Sequence, residues 1–205
     1  MIGVLFIGGE GPEQRFYDEY VGMGDFIIAA DSGLELAEQL GIVPNMVVGD
    51  MDSISDISLL DKYERERVKI YPRDKDETDT EIGVRIFKEM GYNDIIIVGG
   101  GGGRFDHLLG IVNLFERPFR PKRWVTSREV IFLIEKDFYA FGWKGATVSL
   151  FPVGERAREM KSSGLKWPID GLEWKRGYYG ISNVVISHKL YIGVGDGKIL
   201  LIKNF

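Results

Sequence analysis

Apolar stretches and helical periodicity alternate through the first 128 residues. Residues 2–7, 26–30, 46–48, 68–71 and 95–98 are short and mostly apolar, and Gly, Asp or Pro closes them. Runs of this length with little polar alternation suit strands buried on both faces. Between them lie helix signals. Pro12 suits a first helical position, with a helix reaching about Tyr20. Ser32 and Glu35 have capping-box spacing and predict a helix through Leu34, Leu36, Ala37 and Leu40 to Gly41. Residues 57–67 read as a charged amphipathic helix. Thr78 and Glu81 repeat the capping-box spacing and open a helix ending at Met90 and Gly91. A last helix is expected over 105–115. Five rounds of strand, loop and helix predict an α/β fold, an open parallel sheet with flanking helices.

The pattern changes after the two-proline linker at 118–121. Residues 124–126 suit a final strand of the sheet. Beyond Arg128 helical spacing disappears. Residues 130–134, 138–141, 146–151, 184–187, 190–194 and 199–202 read as short strands punctuated by glycine. Gly195-Asp196-Gly197 has the look of a hairpin turn. Two domains follow from this: 1–128, a nucleotide-binding α/β domain, and 129–205, an antiparallel β-sandwich.

Composition narrows the function classes. The formal charge of −5 over 205 residues disfavours a nucleic-acid partner, which needs a concentrated basic face. It leaves nucleotides open. With no cysteine, disulfides, thiolate metal sites and a cysteine nucleophile are excluded. His107 and His188 are too few for a typical zinc centre. The apolar N-terminus lacks a basic lead and reads as a core strand, not a signal peptide. No stretch is long enough to span a bilayer, so no membrane partner and a cytoplasmic location are expected.

In open parallel sheets ligands bind beyond the carboxyl ends of the strands. Asp31, Asp50, Asp52, Asp79 and the five glycines at 99–103 all follow strands or open helices, and should meet on one rim. Asp50, Asp52 and Asp79 have the chemistry to share Mg²⁺ with substrate phosphates. Gly102 and Gly103, followed by Arg104, suit a phosphate cradle at a helix start. The glycine run fits neither G-x-G-x-x-G nor a P-loop, which speaks against dinucleotide redox chemistry. Gly193-Val194-Gly195-Asp196-Gly197-Lys198 is one residue short of a P-loop and reads as a β turn. Taken singly, each residue has a plainer reading. Asp50 to Ser53 suits an Asx turn, and Asp79 a first-turn helix acid. Lys75 suits a solvated charge, Asp106 with His107 a cap, Trp167 turn packing, and Ser182 with Asn183 a turn.

Taken together these segments resemble the thiamin pyrophosphokinase family. The ordered set is Asp31-Ser32-Gly33, Gly49-Asp50-Met51-Asp52-Ser53, Lys75-Asp76-Glu77-Thr78-Asp79, Gly102-Gly103-Arg104-Phe105-Asp106-His107 and Asn113. It continues with Ser149-Leu150-Phe151-Pro152, Gly164-Leu165-Lys166-Trp167-Pro168 and Ser182-Asn183. The likeness runs from about residue 25 to the C-terminus. Each motif is short, and order and spacing carry the match. The resemblance implies pyrophosphoryl transfer from ATP to the hydroxyethyl oxygen of thiamin, giving thiamin diphosphate and AMP. It implies that Asp50, Asp52 and Asp79 hold Mg²⁺ against the triphosphate. Asp31, Lys75 and Arg104 would then surround the nucleotide phosphates, and Asp106 would lie near the attacking hydroxyl or the pyrimidine. It also implies a homodimer with thiamin between the sheet domain of one subunit and the β domain of the other, where Trp167, Ser182 and Asn183 contribute. A pterin alcohol as acceptor, or a nucleotide-binding regulatory protein without turnover, remains an alternative at this level.

Overall fold

The computed structural model describes all of residues 1–205, and the chain separates into two compact units, Met1–Arg128 and Glu129–Phe205. The first holds strands β1 (Ile2–Phe6), β2 (Phe26–Ala30), β3 (Met46–Gly49), β4 (Val68–Ile70), β5 (Asp94–Val98) and β6 (Arg123–Val125). Its helices are α1 (Gln14–Tyr20), α2 (Gly33–Gln39), α3 (Asp79–Glu89) and α4 (Phe105–Leu114). The strands pair in parallel in the order β6-β5-β1-β2-β3-β4. The chain therefore moves outward from β1 to β4 and then returns to β1's other side as β5. That reversal makes a topological switch point between β1 and β5, where the following loops part and leave a crevice.

Apolar strands fill the centre of this sheet as expected. Val4, Leu5, Phe6, Ile28 and residues 95–98 are all buried. Two helices pack onto the sheet closely enough to require glycine. A Cβ on Gly83 of α3 would stand 2.4 Å from Leu5, and one on Gly33 of α2 would stand 2.4 Å from the Phe6 carbonyl oxygen.

The second unit is antiparallel. It holds β7 (Glu129–Ile134), β8 (Asp137–Phe141), β9 (Thr147–Arg158), β10 (Lys161–Ser163), β11 (Trp174–Lys175), β12 (Gly180–Val184), β13 (Lys189–Gly193) and β14 (Asp196–Asn204). One sheet runs β7-β14-β9, with β11 and β12 on different stretches of β9's other edge. The other runs β10-β13-β8. Phe132, Phe138 and Trp143 form a ring cluster that joins β7 to β8.

Several expected elements differ. Residues 57–67 form no amphipathic helix but two 3-10 turns, Ile57–Lys62 and Arg65–Arg67, in which no residue is buried. Their apolar residues are too few to make the stripe a core-facing helix needs. Ser32 and Glu35 do not form a capping box; the Glu35 carboxylate accepts from the Ser55 backbone N–H instead. α1 begins two residues beyond Pro12. Gly195-Asp196-Gly197 is no hairpin, because β13 and β14 belong to different sheets. Gly197 sits at a bulge with φ +91°, where a Cβ would meet the Arg156 carbonyl oxygen. The strand expected over 184–187 is β12 instead, four residues earlier.

Candidate active site

The rim of the first unit is built by three loops. Asp31 follows β2, Asp50 follows β3, and Asp79 opens α3. Their carboxylate oxygens lie within 4.8 Å of one another. The capping box at Thr78 fixes Asp79: the Thr78 hydroxyl accepts from the Glu81 N–H, and the Glu81 carboxylate accepts from the Thr78 N–H at 2.7 Å. Arg117 donates to the same Glu81 carboxylate and ties the start of α3 to the segment after α4. Gly49 brings β3 against this point; a Cβ there would lie 3.2 Å from the Asp79 carboxyl.

Gathering three carboxylates needs compensation. Lys75 supplies part of it, with Nζ 3.0 Å from Asp50 Oδ2 and 3.3 Å from Asp79 Oδ1. Burial works to raise the Asp50 carboxyl, but hydrogen bonds from Lys75 and the Asp52 N–H outweigh it and hold Asp50 below the usual carboxylate range. Burial wins at Asp79, whose pKa is raised even beside Lys75, with the Asp50 and Asp31 charges adding to the rise. For Lys75 burial acts to lower the pKa, but the bond to Asp50 and the Asp79 charge leave it raised, so the ammonium persists. The 3.3 Å contact lacks hydrogen-bond geometry, and Asp79 Oδ1 remains a buried oxygen with no hydrogen bond. An unsatisfied oxygen in an all-oxygen carboxylate cluster is donor chemistry that fits a hard cation such as Mg²⁺.

Asp52 stands apart from this cluster. Its carboxylate accepts from Arg73 and from the Ser53 hydroxyl. The segment between is an Asx turn, with the Asp52 N–H donating to Asp50 Oδ1 at 3.2 Å. The plain turn reading and the ligand reading of Asp50 are therefore compatible. Two non-glycine residues here are left-handed, Asp31 at φ 49° and Met51 at φ 63°.

The glycine run is a fixed structure, not a flexible loop. Gly99, Gly100 and Gly101 donate their N–H groups to Val125, Gly8 and Glu10. Glu10 returns a bond to Gly101 at 2.7 Å, and its carboxylate accepts from Ser127. The Gly102 and Gly103 amides have no partner within the chain, which is what a phosphate cradle requires. A Cβ on Gly102 would strike the Glu10 carboxyl. Arg104 and Asp106 form an exposed two-bond pair at the start of α4, holding the Asp106 carboxyl below its usual range.

These features line one cleft of about 880 Å³. Asp31, Asp52, Lys75, Asp79, Gly103, Arg104 and Asp106 border it. So do Arg73, Glu81, Gly110 and Arg117, which the sequence reading did not single out. Arg117 had a signal: it lies three residues beyond Leu114, in step with the α4 face that faces the cleft.

Trp167, Ser182 and Asn183 lie in the second unit. Trp167 is about half exposed (53%), and Lys166 Nζ sits 4.6 Å from its ring centre. Asn183 is buried and clamps the Trp167 backbone, accepting from its N–H at 3.2 Å and donating to its carbonyl at 2.7 Å. Ser182 is exposed and left-handed, at φ 58°.

Comparison with known proteins agrees with both units. Residues 17–126 match the family model for the thiamin pyrophosphokinase catalytic domain, and residues 130–199 match that for its vitamin B1 binding domain. The thiamine pyrophosphokinase of Bacillus subtilis is 26% identical over 195 residues, 86% of each chain. Thiamine pyrophosphokinase 1 of Arabidopsis thaliana is 27% identical over 203 residues, 92% of this chain and 73% of its own. The crystal structure of the Geobacillus thermodenitrificans thiamin pyrophosphokinase superposes with a TM-score of 0.77 at 25% identity, covering 100% of this chain and 98% of that one. With a rim of clustered carboxylates on one unit, an exposed tryptophan on the other and family models matching both, the chain belongs to the thiamin pyrophosphokinase family.

Proposed function

We propose that this enzyme transfers the pyrophosphoryl group of ATP to thiamin in the cytoplasm, giving thiamin diphosphate and AMP. One observation carries the reading: a carboxylate cluster with a lysine at the strand ends, inside the segment that matches the catalytic family model. The match of residues 130–199 to a vitamin B1 binding model favours thiamin over a pterin alcohol as acceptor.

In the reaction the hydroxyethyl oxygen of thiamin bonds to the β-phosphorus of ATP. The bridge from that phosphorus to the α-phosphate breaks, its electron pair leaves with AMP, and the hydroxyl proton is released. Such transfers depend on positioning and charge neutralisation more than on a strong base. Asp31, Asp50 and Asp79 are the residues we assign to Mg²⁺, with Asp52 joining them once Arg73 releases it. The metal, when bound, neutralises phosphate charge and orients the triphosphate. Lys75 is well placed to turn from Asp50 and Asp79 to a phosphate oxygen when the cation takes those carboxylates. The amides of Gly102 and Gly103 and the Arg104 guanidinium would hold the remaining oxygens. Asp106 orients Arg104 through their two-bond pair. Trp167 offers a flat face to the thiamin ring, Asn183 fixes its backbone, and Ser182 offers a hydroxyl beside it.

The test is AMP release measured with ATP and Mg²⁺, with and without thiamin. Release that requires both thiamin and Mg²⁺ is expected. Release with a hydroxymethylpterin but not with thiamin would overturn the acceptor, and nucleotide binding without turnover would overturn the enzyme assignment.

A further inference from the structure

The chain has 27 glycines, and nearly all have a reason in the fold. Fifteen adopt positive φ, where a side chain is strained. Of the others, all but two would press a Cβ to 3.4 Å or closer against a neighbour. The two exceptions are Gly103, with a single contact at 3.8 Å, and Gly110, where a Cβ would meet nothing within 4 Å. Both line the cleft. Gly103 has an open amide to offer a phosphate. Gly110 has none, because it lies inside α4, where the helix itself takes the N–H. A glycine in a helix interior is destabilising relative to alanine. Nothing in the fold compensates for that cost at Gly110, in contrast to Gly83 of α3, which is pressed against Leu5.

What Gly110 supplies is bare surface. Its position, five residues into α4, lies about 8 Å along the axis from the helix start beside the phosphate cradle. On the same face, Leu114 and Ile111 are apolar neighbours. Asn113, one turn on, carries an amide with no hydrogen bond to the chain, and it too borders the cleft. A flat apolar spot with a free amide beside it suits the face and edge of a heterocycle and not a phosphate. Two heterocycles enter the proposed reaction, and the vitamin B1 binding model matches the other unit.

We propose that the nucleobase of the pyrophosphoryl donor seats on the α4 surface at Gly110, with the Asn113 amide at its edge. This rests on the ATP-dependent reaction assigned above. The test compares Gly110→Ala and Gly110→Leu with the parent by thermal melting and by titration calorimetry against ATP and against inorganic tripolyphosphate. Gly110→Ala should melt higher by about 2–4 °C, since a helix former replaces glycine in open space. Its ATP affinity should nonetheless fall. Gly110→Leu should weaken ATP about tenfold or more while tripolyphosphate binds as in the parent. Unchanged ATP affinity in Gly110→Leu overturns the seat, and so does an equal loss for ATP and tripolyphosphate. A lowered sedimentation mass with ATP binding intact also overturns it, by assigning the bare surface to a second copy of the chain. A parent protein that binds no ATP defeats the assigned reaction itself, and that result appears before any variant is made.

Discussion

At the scale of single residues the site separates into groups that meet charge and groups that meet rings. Asp79→Asn keeps the shape and removes the charge from a carboxylate with an unsatisfied buried oxygen. It should lower kcat by about a hundredfold or more and leave KM for thiamin nearly unchanged, since electrostatic positioning acts in the transition state. Trp167→Ala, in the other unit, should raise KM for thiamin more than KM for ATP. Steady-state kinetics against both substrates checks the pair, and equal changes in both KM values would mean general damage. Asp50 and Asp79 were legible as candidates because carboxylates follow apolar runs at a sheet's open edge. The membership of Asp31 and the separation of Asp52 were not legible. They depend on which oxygen each loop turns inward, and on Arg73, whose ion pair with Asp52 spans 21 residues.

The elements explain how those residues hold position. α3 starts at a complete capping box, and the same Glu81 carboxylate that closes it also receives Arg117. Thr78→Ala removes the hydroxyl that accepts from Glu81 and should cost about 1 kcal/mol. That is a drop in Tm of about 2–4 °C for a chain of this size, measured by calorimetry. The Thr78 box was readable from spacing, whereas the identical spacing at Ser32 and Glu35 misled. Spacing alone cannot register Ser55, whose N–H claims Glu35 from another loop. The alternation of five strands with helices was readable throughout because burial on both faces leaves uninterrupted apolar runs. The 57–67 segment failed for the opposite reason: its apolar residues pack against little, so their spacing carried no information about a core. In the second unit short strands were visible, but the sheet to which each belongs is set by long-range pairing, and β13 and β14 part company at a turn that looked local.

For the whole molecule, no helix is long and apolar enough to cross a membrane. We propose a homodimer, and equilibrium sedimentation should return twice the 23.2 kDa of one chain; a monomer mass under assay conditions would contradict it. One further property belongs to the molecule as a whole. Asp31 occupies a left-handed backbone conformation that costs a residue with a side chain about 1–2 kcal/mol. It also adds its charge to two other carboxylates. Replacement by glycine removes both penalties. Asp31→Gly is therefore expected to unfold at a higher temperature than the parent while losing turnover, as differential scanning calorimetry and the AMP assay would register together. Selection for thermal robustness alone would erase this aspartate, so its presence records a compromise in which the molecule remains softer than its sequence length permits in order to stay a catalyst.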